Sequence, residues 1–351
     1  MSNQIQTAVI GVGGYAGMEL ARLLLHHPKL QDIPPLFFGR AGSNPESLVS
    51  LHPQLLGGDR TGGMQVEPFD WQKLKKADVN VIFLALPHEQ ARTLAPEALR
   101  QGIRTIDLSG AWRLEDADNR AVYMFEDEGS DHARSIQAQA VYGMPEIHRE
   151  RIPSAKLIAN PGCYATSVIL ALKPLVSAGW LDLDHGIVCD SKSGVSGAGK
   201  SPTAKTHFMY AADNLSAYGL FGHRHTGELL EQLQLSREQI VFTPHLLPIP
   251  RGILSTIYVH FSEPKDAGDV ENCFRTFFSA SPLVRIFDAG HLPQIQYSVH
   301  TSYCDIGFQL DKGGRRCIIV SCLDNLLKGA ASQAVQNLNL MCGWNEAEGV
   351  R

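Results

Sequence analysis

No stretch of this chain approaches the roughly 20 consecutive apolar residues that crossing a bilayer requires, so no membrane partner is expected. A basic excess is missing too. Lys and Arg number 31 against 36 Asp and Glu, for a formal charge of −5. Binding to nucleic acid through a basic stripe is therefore not expected, although a local group of arginines and lysines can still capture an anion. Paired cysteine spacing is also absent. The seven cysteines are odd in number and contain no C-x-x-C, which speaks against a disulfide frame or a zinc site and for a reducing, cytoplasmic setting. The opening stretch MSNQIQTAVIG has no charged leader ahead of an apolar core, so no signal peptide is expected. Charged residues make up only 19% of the 351 and apolar residues 44%, enough for a large core in two domains.

What is present first is alternation of strand and helix. Residues 5–12 read as a strand, and Ala16, Leu20, Leu23 and Leu24 mark one face of a following helix. Residues 36–39, 79–86 and 103–108 read as further strands, and 89–101 as a helix that Pro96 kinks or restarts and Gly102 ends. The apolar run VNVIFLAL suits a parallel strand covered on both faces. After about residue 160 the texture becomes α+β, and strands near 305–310 and 317–322 are joined by the hairpin signal DKGG. The expected fold class is α/β: a Rossmann-type dinucleotide-binding domain (1–160 and 325–351) plus an α+β catalytic and oligomerisation domain (161–324) with a mixed or antiparallel sheet.

The segment GVGGYAG places Gly11, Gly13, Gly14 and Gly17, with Tyr15 and Ala16 between them, after a strand and at the start of a helix. Glycine there lets backbone approach a pyrophosphate, and the helix start supplies N–H groups and partial positive charge. An NAD site usually closes the second strand with an acid. Here FFGRAGS has none, and Arg40 with Ser43 suits the 2′-phosphate of NADP instead.

In NPGCYATS, Asn160 is a good N-cap and Pro161 a good first helical residue, which puts Cys163 in the first turn. A thiolate there is favoured by free N–H groups and the helix dipole. Its acid/base partner is sought in GHRHTGE, where His223 and His225 are both candidates and Glu228 can orient them. A second glycine loop, SKSGVSGAGKS, brings Ser191, Ser193 and Gly194, with Lys192 and Lys200, to a phosphate or nicotinamide. Arg251 in PIPRG suits either a clamp on a carboxylate or phosphate, or a structural salt bridge.

Taken together, GVGGYAGMEL, LHPQLLG, ALPHE, DLSGAWRL, YGMPE, NPGCYATS, SGVSGAGK, HRHTGE, FTPHLLPIPRGIL and DNLLKGAASQAVQNLN resemble the N-acetyl-gamma-glutamyl-phosphate reductase family, within the aspartate-semialdehyde dehydrogenase superfamily. The resemblance implies an NADPH-dependent reductase of an acyl phosphate, in arginine biosynthesis, working through a cysteine thioester as a dimer or tetramer. It implies that Cys163 is the nucleophile and His223 the acid/base, and that Tyr218, His225 and Glu228 line the substrate pocket. The glycine loop, Pro87, Ser109, Gly110, the Gly194–Gly197 loop and Asn325 would then line the cofactor. The family usually reads Asp-Phe-Arg where this chain has Ala111, Trp112 and Arg113. A reductase acting on carrier-linked aminoadipyl phosphate in lysine biosynthesis shares these motifs. A thiol hydrolase and a non-catalytic NADP sensor are the readings from other classes.

Overall fold

The computed structural model describes residues 4–58 and 60–351, so the first three residues of the N-terminal stretch read for a leader, and Asp59, lie outside the described residues. The chain divides into two compact units, one of Met1–Arg113, Phe125–Pro161 and Ala330–Arg351 and the other of Leu114–Met124 and Gly162–Gly329.

The first unit is built on an eight-stranded sheet. Its strands are β1 (Thr7–Ile10), β2 (Leu36–Phe38), β3 (Glu46–Ser47), β4 (Gln65–Glu67), β5 (Val81–Leu84), β6 (Arg104–Asp107), β7 (Ala140–Tyr142) and β8 (Leu157–Ala159). Their order is β3-β4-β2-β1-β5-β6-β8-β7, parallel throughout except for the β3/β4 pair. TAVI and VIFL are buried at every position, as the unbroken apolar runs require of central parallel strands. The helix Tyr15–Leu25 leaves β1 and packs against the C-terminal helix Ser332–Met341. Pro96 lies inside the helix His88–Arg100, and Gly102 follows with a φ of 78°.

The C-terminal helix is polar yet wholly buried at Gln336, Asn337 and Asn339. Each amide has a partner within the unit. Asn337 Nδ2 donates to Gly143 O at 2.8 Å, and Asn339 Nδ2 donates to the carbonyls of Glu346 and Glu348 at 3.0 and 2.9 Å. These bonds make burial of the polar helix tolerable.

The second unit is a seven-stranded mixed sheet of β9 (Ile187–Gly194), β10 (Ser216–Ala217), β11 (Ile240–Leu247), β12 (Ile253–His260), β13 (Val284–Ile286), β14 (Cys304–Leu310) and β15 (Arg316–Leu323), in the order β10-β11-β9-β12-β15-β14-β13. Its β14–β15 hairpin turns at Asp311–Gly314, where Gly314 N–H donates to Asp311 O at 3.0 Å. The helix Cys163–Ser177 packs on β12 and β15, and its residues 164–172 are all buried. Under it, the Ser167 hydroxyl lies within hydrogen-bond distance of two others, Ser255 Oγ at 2.9 Å and Ser321 Oγ at 3.1 Å, donating its one proton to either and accepting from the other. The sheet's other face carries Val241, Val188, Tyr258 and Ile318 in one row across four strands. Among the described residues no helix is long and apolar enough to cross a membrane.

Candidate active site

The helix that carries the sulfur begins two residues later than the sequence suggests. Asn160 and Pro161 are not its cap and first residue. Gly162 is the N-cap and Cys163 the first helical residue. Asn160 is taken up elsewhere, with its Nδ2 donating to Ala330 O at 3.1 Å and its Oδ1 accepting from Asn337 Nδ2 at 3.1 Å. Gly162 has no side chain of its own to bond the first turn. The positive end of the helix dipole lies at Cys163, where it favours an anion. The Cys163 side chain is half-buried. Burial pushes the thiol of Cys317 up to about 12, and raises Cys189, Cys322, Cys273 and Cys342 as well.

Two glycines leave room at the site, one for His225 and Glu228 and one for Cys163. A methyl group on Gly162 would overlap His225 Nε2 and lie 2.7 Å from Glu228 Oε1. A methyl group on Gly329 would lie 2.7 Å from Cys163 Cβ and 3.2 Å from its Cα. Gly329 sits in a single π-helical turn, Leu327–Ala331, just ahead of the C-terminal helix. Such turns often mark functional sites.

Glu228 is fully buried and accepts the Gly162 N–H at 2.9 Å. Its other oxygen lies 4.0 Å from His225 Nε2. Tyr164, the residue after the nucleophile, stands edge-on to both histidines, with ring centroids 5.7 Å from His223 and 6.0 Å from His225. Its hydroxyl donates to His245 O at 2.7 Å. Tyr218 packs on His223 at 5.5 Å. Burial raises the phenol pKa of both tyrosines, so both stay protonated at neutral pH. Tyr164 is absent from the residues singled out by sequence, although its place next to Cys163 was a signal.

His223 Nδ1 accepts the backbone N–H of His225 at 3.1 Å. In the neutral ring that assigns the proton to Nε2, which is then a donor. Burial, helped by nearby Arg224, lowers the His223 pKa from 6.5 to about 4, so the ring is neutral at pH 7. Between those two values the unfolded chain binds more protons than the fold, and stability should rise with pH from about 4 to 6.5 and then level off. The term amounts to ~3 kcal/mol at most. Thermal melts between pH 4 and 7 should therefore fall more steeply toward acid for the native chain than for His223→Asn. Parallel curves would count against the neutral buried ring.

The second glycine loop is tied to Arg251 and Asn325. Gly194 N–H donates to Gly252 O at 2.9 Å, Asn325 Oδ1 accepts from Gly252 N at 2.7 Å, and its Nδ2 donates to Ser196 Oγ at 2.9 Å. Arg251 forms the salt bridge that is one of its two readings. Its Nε and Nη2 each lie 2.9 Å from the buried carboxylate of Asp324, and Asp324 also accepts the His300 N–H at 2.7 Å. Ser191, expected at the substrate, is fully buried on the helix-covered face, with its hydroxyl donating to Ser255 Oγ at 2.8 Å. Ser193 is buried on the same face and donates to Gly194 O at 3.1 Å.

In the first unit the glycine loop lies where β1 and β5 diverge, the switch point at which such sheets bind ligands. Gly11 has a φ of 94°, and a side chain there would meet the backbone of Ala85. Gly14 caps the helix that begins at Tyr15, with no side-chain cap. His52 Nε2 bonds Val12 O at 2.7 Å and so fixes the loop from the LHPQLLG stretch. These are the residues that fit a dinucleotide: an open cradle at Gly13, an uncapped helix start, and Pro87 capping the helix after β5. Arg40 is exposed, and Ser43 Oγ donates to Arg40 O at 2.8 Å. Ser109 is turned inward instead, donating to Asp107 Oδ2 at 2.8 Å, while Gly110 beside it is half-buried. Burial, opposed by the Ser109 bonds and Arg113, pushes Asp107 up to about 6. Ala111 and Trp112 are buried, with Arg92 donating to Ala111 O at 3.0 Å and lying 4.6 Å above the Trp112 ring.

Comparison with known proteins agrees with this division. Residues 6–155 match the family model for the semialdehyde dehydrogenase NAD binding domain, and residues 163–325 the one for its dimerisation domain. The N-acetyl-gamma-glutamyl-phosphate reductase of Desulfotalea psychrophila is 42% identical over 99% of this chain and 98% of that one. The protein of the same name from Pelotomaculum thermopropionicum is 38% identical over 99% and 97%. Among solved structures, aspartate semialdehyde dehydrogenase II of Vibrio cholerae, complexed with ASA, superposes with a TM-score of 0.69 at 18% identity, over 97% of this chain and 98% of that one. That likeness establishes the fold alone. With a cysteine at a helix start, two histidines and a buried glutamate around it, and relatives of this identity along nearly its whole length, the chain belongs to the N-acetyl-gamma-glutamyl-phosphate reductase family.

Proposed function

We propose that this chain reduces N-acetyl-gamma-glutamyl phosphate to N-acetylglutamate 5-semialdehyde and phosphate, as in arginine biosynthesis, with NADPH as reductant. The observation that carries the reading is the position of Cys163 as the first residue of a helix, at the positive end of its dipole. The thiolate attacks the carbonyl carbon of the acyl phosphate. The C–O bond to phosphate breaks, phosphate leaves, and a thioester joins the acyl group to Cys163. The nicotinamide, when bound, supplies the hydride that takes the acyl group to the aldehyde level. First-turn N–H groups hold the negative oxygen that develops, a term typically worth about 2.7–4 kcal/mol per donor. The neutral His223 ring offers its Nε2–H to the same oxygen. His225, set against the buried Glu228, exchanges the proton that the departing phosphate takes up. Return of the electron pair to sulfur then releases the aldehyde.

In this reading the glycine loop of the first unit holds the dinucleotide, and the Gly194–Gly197 loop and Asn325 keep the cofactor role that the resemblance implies. Arg40 and Ser43 select its 2′-phosphate. Glu67, opposite Phe38 at the end of β2, is the nearest acid in register, and Lys73 pairs with it at 2.8 Å. It is thereby engaged away from a ribose hydroxyl. The assay is the reverse reaction, with N-acetylglutamate semialdehyde, inorganic phosphate and NADP⁺, followed by NADPH absorbance. No phosphate-dependent signal would refute the proposal. Arg40→Ala should raise KM for NADP⁺ roughly tenfold, which corresponds to about 1.4 kcal/mol, and leave KM for NAD⁺ unchanged. Equal effects on both cofactors would remove Arg40 from the 2′-phosphate.

A further inference from the structure

We infer that Tyr164, the residue after the nucleophile, is a positioning residue: its ring holds both imidazoles in place relative to Cys163, and its hydroxyl ties that ring to the sheet. The inference rests on the reading of Cys163 and His223 given above.

Tyr164 lies in the first turn of the helix Cys163–Ser177 and is only 2% exposed. Successive residues leave a helix about 100° apart, so the ring occupies a different side of the axis from the sulfur. It stands edge-on to three other rings. His223, His225 and Phe242 lie 5.7, 6.0 and 5.5 Å away, at interplanar angles of 87°, 65° and 72°. Those are separations at which T-shaped pairs attract. Phe242 also lies 5.3 Å from His223, Tyr218 5.5 Å and His225 4.8 Å. His223 is thus boxed by rings, and Tyr164 meets both histidines at once.

The phenol is held at both ends. Its hydroxyl donates to His245 O at 2.7 Å and is hydrogen-bonded to the Tyr218 hydroxyl as well. Phe242 and His245 both belong to β11. One strand therefore grips the ring at its edge and at its oxygen.

The histidines need such a support. They come from a strip in which residues 219–222 and 224 are all exposed. Side chains on loops are placed less exactly than those on packed helices and strands. Tyr164 belongs to a helix whose residues 164–172 are all buried. Because it follows Cys163 directly, the sulfur and both imidazoles take their positions from one rigid element.

The ionisable groups facing the His223 ring are Tyr164 from the helix, Tyr218 from the strip, and Arg224 and His225 from its own turn; Phe242 from β11 carries no charge. All but the first remain when Tyr164 is replaced. A changed titration of His223 then reports the loss of the Tyr164 ring.

The test compares Tyr164→Leu and Tyr164→Phe with the native chain, by kinetics and by NMR titration of labelled histidine, with the His223 signal assigned through His223→Asn. Tyr164→Leu should lose on the order of 10- to 100-fold in kcat with KM for the acyl phosphate little changed, as a displacement of up to about 1 Å at the reacting groups implies. Water then reaches His223, and its pKa should rise from about 4 toward 6.5. Tyr164→Phe keeps the edge-on contacts and loses only the tie to β11. It should restore most of kcat and the low titration of His223. A Tyr164→Leu protein with a lower melting temperature but native kcat and native titration would make the ring a core residue only, and would overturn the inference. So would a Tyr164→Phe protein as impaired as Tyr164→Leu. If Tyr164→Leu fails to fold, Tyr164→Met, which refills the space with a flexible chain, decides by the same two readouts. The titration needs no substrate, so it judges Tyr164 even where the native chain fails the reverse assay.

Discussion

Cys163→Ser should lower acyl-phosphate reduction by a factor on the order of 10⁴ or more, the scale on which removal of a covalent nucleophile is felt. The change replaces sulfur by oxygen at nearly constant volume in a half-buried position, so stability should move by less than about 1 kcal/mol. Dinucleotide binding should persist, because the glycine loop at Gly11–Gly17 and its anchor His52 belong to the other unit. The loss has a chemical origin. Serine at the same helix start stays protonated at neutral pH, and an ester is a poorer hydride acceptor than a thioester. Rapid-mix measurements should show a burst of phosphate from the native enzyme and none from the variant. A variant with normal turnover would refute the nucleophile assignment. Iodoacetamide labelling adds a second check, since Cys163 should react well before Cys189, Cys317 and Cys322, whose thiols burial raises.

Local signals in the sequence were enough to place the glycine loop, the central strands and the hairpin at Asp311–Gly314. Each depends on spacing within a few residues: glycines after a β-rich run, unbroken apolar runs, and a turn motif between alternating strands. The thiol's address was also legible, because a helix start is a local event. Bonds between distant residues were not. Asn160 reads as a cap, yet Asn337 and Ala330 claim its amide, and nothing near Asn160 announces partners that far along the chain. Arg251 reads as a clamp or a salt bridge, and its partner Asp324 is likewise too far along the chain to be announced nearby. Ser191 shows where a local pattern outweighed a motif. It lies two residues from Cys189 on the inward side of β9, so strict alternation directs it under the helix, while its place in a serine- and glycine-rich loop suggested a ligand contact.

Gly329→Ala should reduce kcat about 10²-fold with little change in KM for either substrate. The added methyl would lie 2.7 Å from Cys163 Cβ and 3.2 Å from its Cα, well inside contact distance, so one of the two backbones must move. On the Cys163 side the helix is held by buried contacts along residues 164–172 and by the Ser167 hydroxyl. On the other side Asp324 binds the turn, accepting from Leu326 N at 2.9 Å, with Gly329 N–H donating to Asp324 O at 2.9 Å. Neither wall yields freely, and overpacking of this kind costs about 1–3 kcal/mol of stability. The part of the strain that shifts the sulfur is the part that reaches catalysis. A displacement near 1 Å at a reacting atom is enough for a loss of about 10²-fold. Two measurements separate that outcome from simple destabilisation. The alkylation rate of Cys163 should fall or its pH dependence shift, while the melting temperature drops by a few degrees and the variant remains fully folded at assay temperature. A folded Gly329→Ala protein with native alkylation and native kcat would show that the π-helical turn does not set the position of the nucleophile.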